Sequence, residues 1–315
     1  MIAAIQREGA ILVTGITGLI GAELAHRLVR EGHRVIGMDR IVPQGMPFPI
    51  MTHDLPDPHR WHEAIVRHDV RKVVHAGGIS GPMLMRDAPA RLCDINLSSL
   101  VDLLEAARIH QVERVIWFSS VMAYGERADI LPVNEDTPLY PSTVYGATKA
   151  AGEALINAYF AEHGVDAVAL RVASCYGPGR TTSCLIRTLV QDAIDGRVTS
   201  VRDEPGRTRQ HIYVDDVIDG ICSALSMPAL RQRAYNIGPG VAQTLDDIVA
   251  QVRLAVPEVS VRVQPDGMGW NTFGLGPLTI DAARRDLDFD PKVSLADGAA
   301  RVRDAILRAR APAGS

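Results

Sequence analysis

The chain has 315 residues, enough for one large α/β domain or for one domain with a smaller cap. Its net charge is -4, it has no basic run for a nucleic acid, and no apolar stretch approaches the length of a membrane span, so neither partner is expected. Cys93, Cys175, Cys184 and Cys222 are scattered at spacings that fit neither a metal site nor a redox pair, and no metal is expected. Met1 to Gly9 carries Arg7 and Glu8 and has no signal-peptide core, so a reduced cytoplasmic protein is the simplest reading.

The first element is a short β-branched run, Ala10 to Thr14, ending at the glycines Gly15, Gly18 and Gly21. From Leu19 and Ile20 the apolar spacing becomes helical, and a second apolar run from Val35 to Met38 ends in Asp39. Strand, glycine turn, helix, strand and acid make up the unit that binds a dinucleotide. Gly15 allows the tight turn, Gly18 lets the backbone approach a pyrophosphate, and Gly21 lets helix and strand pack closely. The phosphates meet the free N–H groups at the helix start, where Leu19 and Ile20 stand, and the positive end of its dipole. Asp39 is placed to accept hydrogen bonds from the adenosine ribose and to repel a 2′-phosphate, which favours NAD over NADP. The neighbouring Arg40 pulls the other way.

The alternation continues with a strand at Lys72 to His75, a long helix from about 88 to 110 and a strand from Val115 to Phe118. A helix from about 144 to 163 and a strand from Ala167 to Arg171 follow. Such alternation predicts an α/β fold, a Rossmann-type doubly wound parallel sheet covered by helices. Sites on such a sheet lie at the carboxyl ends of the strands, where Gly15, Asp39, Ala76, Ser119, Ser120 and Val172 fall. After Gly177-Pro178-Gly179 the segments shorten and become richer in Arg, Pro and Gly. Residues 1–174 are therefore expected to form the NAD-binding domain, with 210–230 returning to it. Residues 175–209 and 231–315 are expected to form a smaller C-terminal substrate-binding lobe, in which 201–209 is a polar loop and Asp215 caps a helix.

Tyr145 and Lys149 are one helical turn apart, twenty-five residues after Ser120. A phenol has an ordinary pKa near 10, too high for proton transfer near neutrality, and an adjacent ammonium lowers it. Lys149 also has the reach to hydrogen-bond a nicotinamide ribose. Tyr145 would exchange a proton with a substrate hydroxyl, and Ser120 would donate a hydrogen bond to the developing oxyanion. Taken singly, Tyr-x-x-x-Lys is a frequent pattern on amphipathic helices and Ser119-Ser120 an ordinary strand end; the joint occurrence behind a glycine turn carries the reading.

At these residues the chain resembles the extended short-chain dehydrogenase/reductase superfamily, in its NAD-dependent epimerase/dehydratase branch, over nearly its whole length. The matching segments are Thr14 to Gly21, Asp54-Leu55, His75 to Gly78, Asn96 with the residues after it, Ser119 to Gly125, Tyr145 to Lys149, Leu170-Arg171, Tyr176 to Pro178 and Tyr213 to Asp216. The resemblance implies that Asp54 and Leu55 contact the adenine and that Ala76, Gly77 and Gly78 line the adenosine and pyrophosphate side. It also implies that Asn96 supports the cofactor site and that Val172 and Ala173 lie near the nicotinamide. Without the family, Asp54 reads as a solvated loop acid and Asn96 as a helix cap. A homodimer is implied too, through the helices around 88–110 and 144–163. Their apolar residues Leu97, Leu100, Leu103, Leu104, Leu155, Ile156, Tyr159 and Phe160 fit that role, or equally packing on the sheet.

The chain also departs from the pattern. Dehydratases of the family resemble one another in an Asp-Glu pair where this chain has Val121-Met122, so no carboxylate stands there to eliminate water. Nucleotide-sugar members carry an Asn at the place of Ser174 and an arginine in the C-terminal lobe, where this chain reads Asp266 to Gly276 with no arginine. Arg209, the other diphosphate contact, is present. Met122, Ser174, Arg180, Thr182 and Arg209, with Thr181 and His211, are the candidate substrate contacts, and Met122 and Trp270 candidate apolar walls. Each has a plainer alternative: Arg207 and Arg209 as a solvated loop, His211 as a core histidine, Trp270 as filling, and Cys175 as a small buried residue. The expected activity is NAD-dependent oxidation of a secondary hydroxyl on a small polyhydroxylated substrate (a sugar, sugar acid or hydroxy acid). The alternative is a UDP-sugar 4-epimerase that retains its NAD, and, from another class, a non-catalytic NAD-binding protein.

Overall fold

Strands buried on both faces of a parallel sheet are unbroken apolar runs, because no face is left for polar side chains. In a computed structural model of the chain, which describes residues 9–127, 129, 131–204, 206–269 and 274–311, the first such run is β1 (Ala10–Thr14), buried at every position. It is followed by α1 (Leu19–Arg30), β2 (Val35–Asp39), β3 (Ile50–Thr52), α2 (Pro58–His68) and β4 (Val70–His75). Next come α3 (Pro89–Cys93), a π-helical turn at Asp94–Ser98 and α4 (Ser99–His110). β5 (Arg114–Ser120), a 3₁₀ turn at Val121–Ala123, α5 (Val144–His163) and β6 (Ala167–Val172) complete the expected alternation.

The central sheet is seven-stranded and parallel, with its last strand β10 (Ala234–Ile237), in the order β10-β6-β5-β4-β1-β2-β3. From β1 the chain adds strands outward through β2 and β3, then crosses back to β4 and continues the other way. The topological switch point therefore lies between β1 and β4, where a crevice opens beyond their carboxyl ends. Gly15 follows β1 and Ala76 follows β4, so the order of the strands alone brings these two loops together.

Among the described residues, one unit of the fold falls within 1–124, 139–171 and 224–235. Its core joins Leu12, Ile36 and Val73 of the sheet to Trp61 of α2, Leu100, Leu103 and Leu104 of α4, and Ile156 of α5. Helix α5 starts at Thr143, whose hydroxyl accepts from the Gly146 N–H at 3.0 Å, and stops at Gly164 in the left-handed region. The helix expected from about 88 to 110 forms, but the π turn interrupts it around Asn96. That turn accompanies two side-chain bonds: Asn96 Oδ1 accepts from Ile79 N–H at 2.8 Å, and its Nδ2 donates to Ile79 O at 3.1 Å.

Among the described residues, the other unit falls within 125–138, 172–223 and 236–315. It contains β7 (Ser174–Tyr176), α6 (Leu185–Ile194), β8 (Thr199–Val201), β9 (His211–Tyr213) and most of α7 (Val214–Ser226). The rest is α8 (Leu245–Ala255), β11 (Val261–Val263), α9 (Asp281–Leu287) and α10 (Leu295–Arg310). Two small parallel sheets, β7 with β9 and β8 with β11, organise it. Segment 125–138 groups here because Val133 bridges Leu278 and the Arg127 N–H donates to Gly274 O at 2.8 Å. Of the expected returning segment 210–230, residues 210–223 group with this unit and 224–230 with the sheet unit. Asp215 does not cap α7, which begins at Val214 directly after β9 with no intervening residue; Asp215 lies in the first turn and pairs with Arg301 at 2.7 Å. Trp270 lies outside the described residues.

Candidate active site

The glycine turn is built for close approach. Gly15 has φ +67°, and a Cβ there would lie 2.6 Å from the Ala76 carbonyl oxygen. A Cβ on Gly21 would lie 2.2 Å from the Gly15 carbonyl oxygen, so α1 can lean on the turn only because residue 21 lacks a side chain. Gly18 is the N-cap of α1 and offers no side chain to its free N–H groups, which fall on Leu19, Ile20 and Gly21. An uncapped helix N-terminus above a glycine turn is an anion cradle. Thr14 ties the two loops of the switch point together: its hydroxyl accepts from the Gly77 N–H at 2.9 Å and meets His75 Nδ1 at 2.7 Å. Burial, aided by the Lys149 charge, pushes His75 down to about 3, so the ring is neutral and Nδ1 accepts the Thr14 proton.

Asp39 stands at the end of β2. Its Oδ2 accepts from the Thr17 N–H at 2.9 Å and the Thr17 hydroxyl at 2.8 Å, and Oδ1 accepts from the Arg40 N–H at 2.7 Å. Three anchors fix the carboxylate while lone pairs remain for a ribose. Asp54 is exposed and Leu55 half-buried beside Gly77, with Leu55 O accepting from Arg91 at 3.2 Å. Asn96 is buried and straps the loop after β4, its Oδ1 lying 2.9 Å from where a Cβ on Gly78 would be.

Ser120, Tyr145 and Lys149 all belong to the sheet unit. Ser120 ends β5 and caps the 3₁₀ turn, its Oγ accepting from the Met122 N–H at 3.2 Å. With one lone pair so occupied, its own O–H remains a donor. A Cβ on Gly146 would lie 2.4 Å from Met122 O, so the small residue after Tyr145 lets the start of α5 sit against that turn. Tyr145 and Lys149 are 8% and 6% exposed, and the Lys149 ammonium lies 5.6 Å from the Tyr145 ring centroid and 4.4 Å from that of Trp117. Burial pushes Lys149 down to about 7, with Glu153 pulling the other way.

Glu153 escaped the sequence reading, although the repeat of four that joins Tyr145 to Lys149 reaches it on the next turn. Its carboxylate is buried at 3% exposure and receives three charge-assisted bonds from Arg171, at 2.6, 3.0 and 3.0 Å, and one from the Ser119 hydroxyl. Arg171 also donates to Tyr124 OH at 2.7 Å.

The remaining candidates divide between the units. Met122 is half-buried in the sheet unit; Val172, Ser174, Arg180, Thr182 and Arg209 belong to the other. Arg180 donates from Nε to Thr182 Oγ1 at 3.1 Å, from Nη1 to Cys175 O and from Nη2 to Ser183 O at 3.3 Å. Arg209 is not a solvated loop residue: it is buried and paired with Asp203 at 2.8 Å. His211 is a core histidine, pushed down to about 3 by burial first and by Arg209 and Arg180 after it, and is neutral. Cys175 is a buried thiol raised to about 12 by burial.

A switch-point crevice with a glycine turn, an acid after β2 and a Ser, Tyr and Lys set on β5 and α5 defines an enzyme of the extended short-chain dehydrogenase/reductase type, with NAD as its cofactor. The chain belongs to the NAD-dependent epimerase/dehydratase family, whose model matches residues 11–238. It is 28% identical to a UDP-glucose 4-epimerase of Mycolicibacterium smegmatis over 308 residues, 92% of this chain and 96% of that one. Among solved structures it matches the GalE-like L-threonine dehydrogenase of Cupriavidus necator at 26% identity and TM-score 0.84, covering 94% of this chain and 99% of that one. The UDP-glucose 4-epimerase of Thermotoga maritima shares the fold at 23% identity and TM-score 0.84, over 95% and 99% of the two chains.

Proposed function

We propose that the protein is an NAD-dependent dehydrogenase that oxidises a secondary hydroxyl on a small polar substrate, with Ser120, Tyr145 and Lys149 as its catalytic residues. The observation that carries this is the burial of Tyr145 and Lys149 one turn apart on the helix that abuts the Ser120 turn. Gly15, Gly18, Leu19, Ile20 and Gly21 would cradle the pyrophosphate. Asp39 would hold the adenosine ribose, with Arg40 beside it. Asp54, Leu55, Ala76, Gly77 and Gly78 would line the adenosine side, and Val172 the nicotinamide. When bound, NAD supplies the acceptor for the hydrogen that leaves carbon. Tyr145 removes the hydroxyl proton, made easier by the Lys149 ammonium, which favours the phenolate. The Ser120 O–H donates to the oxygen as it becomes a carbonyl.

The arginines support a small substrate. A nucleotide-sugar diphosphate carries about two negative charges and calls for charge-assisted donors. Arg209 already neutralises Asp203, Arg207 pairs with Glu126 and Glu204, and each nitrogen of the Arg180 guanidinium donates to its own loop. Ser174 and Thr182 are smaller polar contacts of the same unit. The second reading, a UDP-sugar 4-epimerase, is favoured by the name of the Mycolicibacterium protein. Purified protein incubated with NAD and separate sugar acids, hydroxy acids, hydroxy amino acids and UDP-sugars separates the two. Free NADH, seen by its near-ultraviolet absorbance, is expected with one of the small substrates. Interconversion of UDP-sugars without net NADH would transfer the assignment to the epimerase.

A homodimer through α3–α4 and α5 is part of the proposal. Leu100, Leu103, Leu104 and Ile156 are spent on the core of their own unit, so Ile109, Val144 and Phe160, each about half exposed, are the large apolar residues these helices offer a partner. Light scattering after size exclusion is expected to give twice the 34.1 kDa chain mass.

A further inference from the structure

The proposed reaction needs Lys149 charged, yet its surroundings are apolar: the Trp117 face lies 4.4 Å away and water is nearly excluded. The titratable groups facing it are Tyr145 and Glu153 on its own helix and the neutral His75 from β4. On the elements packed against α5, Arg91 of α3 pairs with Asp94 of the π turn, Glu105 of α4 with Arg108, and Arg114 of β5 with Asp166. Among the described residues, Glu153 is the one charge that favours the ammonium. Its carboxylate is also held from two sides. Arg171 grips both carboxylate oxygens, and the Ser119 hydroxyl donates to Oε1 from the residue next to Ser120. Through Tyr124, which closes the 3₁₀ turn that Ser120 caps, Arg171 joins the same network to the other side of the site.

Resting on the proposed Ser-Tyr-Lys function, we propose that Glu153 is a positioning residue: its carboxylate, locked by Arg171 and Ser119, is the fixed counter-charge that keeps the Lys149 side chain an ammonium beside Tyr145. An ion pair made only for stability would leave the acid–base behaviour of the site untouched. The function of this one is electrostatic, and it acts through Lys149 rather than on the substrate.

The test is the pH dependence of kcat/KM for alcohol oxidation, which falls on the alkaline side as Lys149 loses its proton. In Glu153→Gln that alkaline limb is expected to move down by about one pH unit, the size of effect a nearby opposite charge exerts. Because Gln would leave Arg171 buried without its partner, the double variant Glu153→Gln/Arg171→Met is measured beside it. That variant removes the pair together, a change that proteins commonly tolerate, and its alkaline limb is expected to move in the same direction. Glu153→Asp, which keeps the charge, is expected to retain the wild-type limb. Profiles in the Gln variants that superpose on wild type apart from a uniform scale would overturn the proposal and leave Glu153 a structural residue. Turnover surviving in Tyr145→Phe would instead overturn the function on which it rests, however the Glu153 variants behave.

Discussion

Tyr145→Phe is expected to lower kcat by about 10³-fold, within the 10²–10⁴ range typical of a lost general acid–base group, and to leave NAD binding nearly unchanged. The change removes one oxygen and keeps the ring, so the packing of the start of α5 against the 3₁₀ turn survives. The glycine turn, Asp39 and the Thr14–His75 bond are built from other elements and do not depend on the phenol. The measurements are initial rates of NADH formation and the NAD-dependent rise in melting temperature, which reports binding to the native state alone. Full turnover in the phenylalanine variant would remove Tyr145 from the mechanism. Loss of the NAD-induced shift would mean that the residue holds the cofactor and not the proton.

The parts legible in the sequence are those in which one local rule decides the outcome. The central strands could be read because burial on both faces favours apolar residues, as in β1 and in β6, which are buried along their whole lengths with Thr14 and Arg171 as their polar members. Helix α5 carries local signals at its own ends, Thr143 before it and Gly164 after it. The parts that were not legible depend on distant partners. The π turn around Asn96 is a change of backbone hydrogen bonding that side-chain periodicity hardly registers. Segment 125–138 reads as a continuation of the Rossmann alternation, and only its pairing with residues near 274–278, almost 150 positions away, gives it to the other unit. Arg209 looks like part of a charged loop until Asp203 is found folded back against it. Glu153 stands at the right spacing, but an acid on a helix is ordinarily solvated; Arg171, on the following strand, is what makes its burial possible.

Lys149→Met is expected to abolish turnover and, below neutral pH, to make the protein more stable. Lysine titrates near 10.4 in an unfolded chain and about 7 in this fold, the shift caused by burial against the partial opposition of Glu153. Below pH 7 both states carry the proton, and the native state bears the whole cost of an ammonium out of water. At ~1.4 kcal/mol per pKa unit that cost is on the order of 5 kcal/mol. Methionine has a similar reach and no charge to desolvate; allowing for its imperfect fit, a gain on the order of 2–3 kcal/mol remains at pH 6. Between pH 7 and 10.4 the unfolded wild type holds a proton that the native state has released, so wild-type stability rises with pH while that of the variant does not. The gap between them should therefore close steadily across that window in denaturant titrations at fixed pH. Removing Lys149 leaves Glu153 in its bonds to Arg171 and Ser119, so no orphaned charge offsets the gain. A variant less stable than wild type at pH 6, or a gap that does not change with pH, would mean that Lys149 is held for packing rather than at a cost to stability. The expected pairing of greater stability with lost activity is what separates a residue retained for chemistry from one retained for the fold.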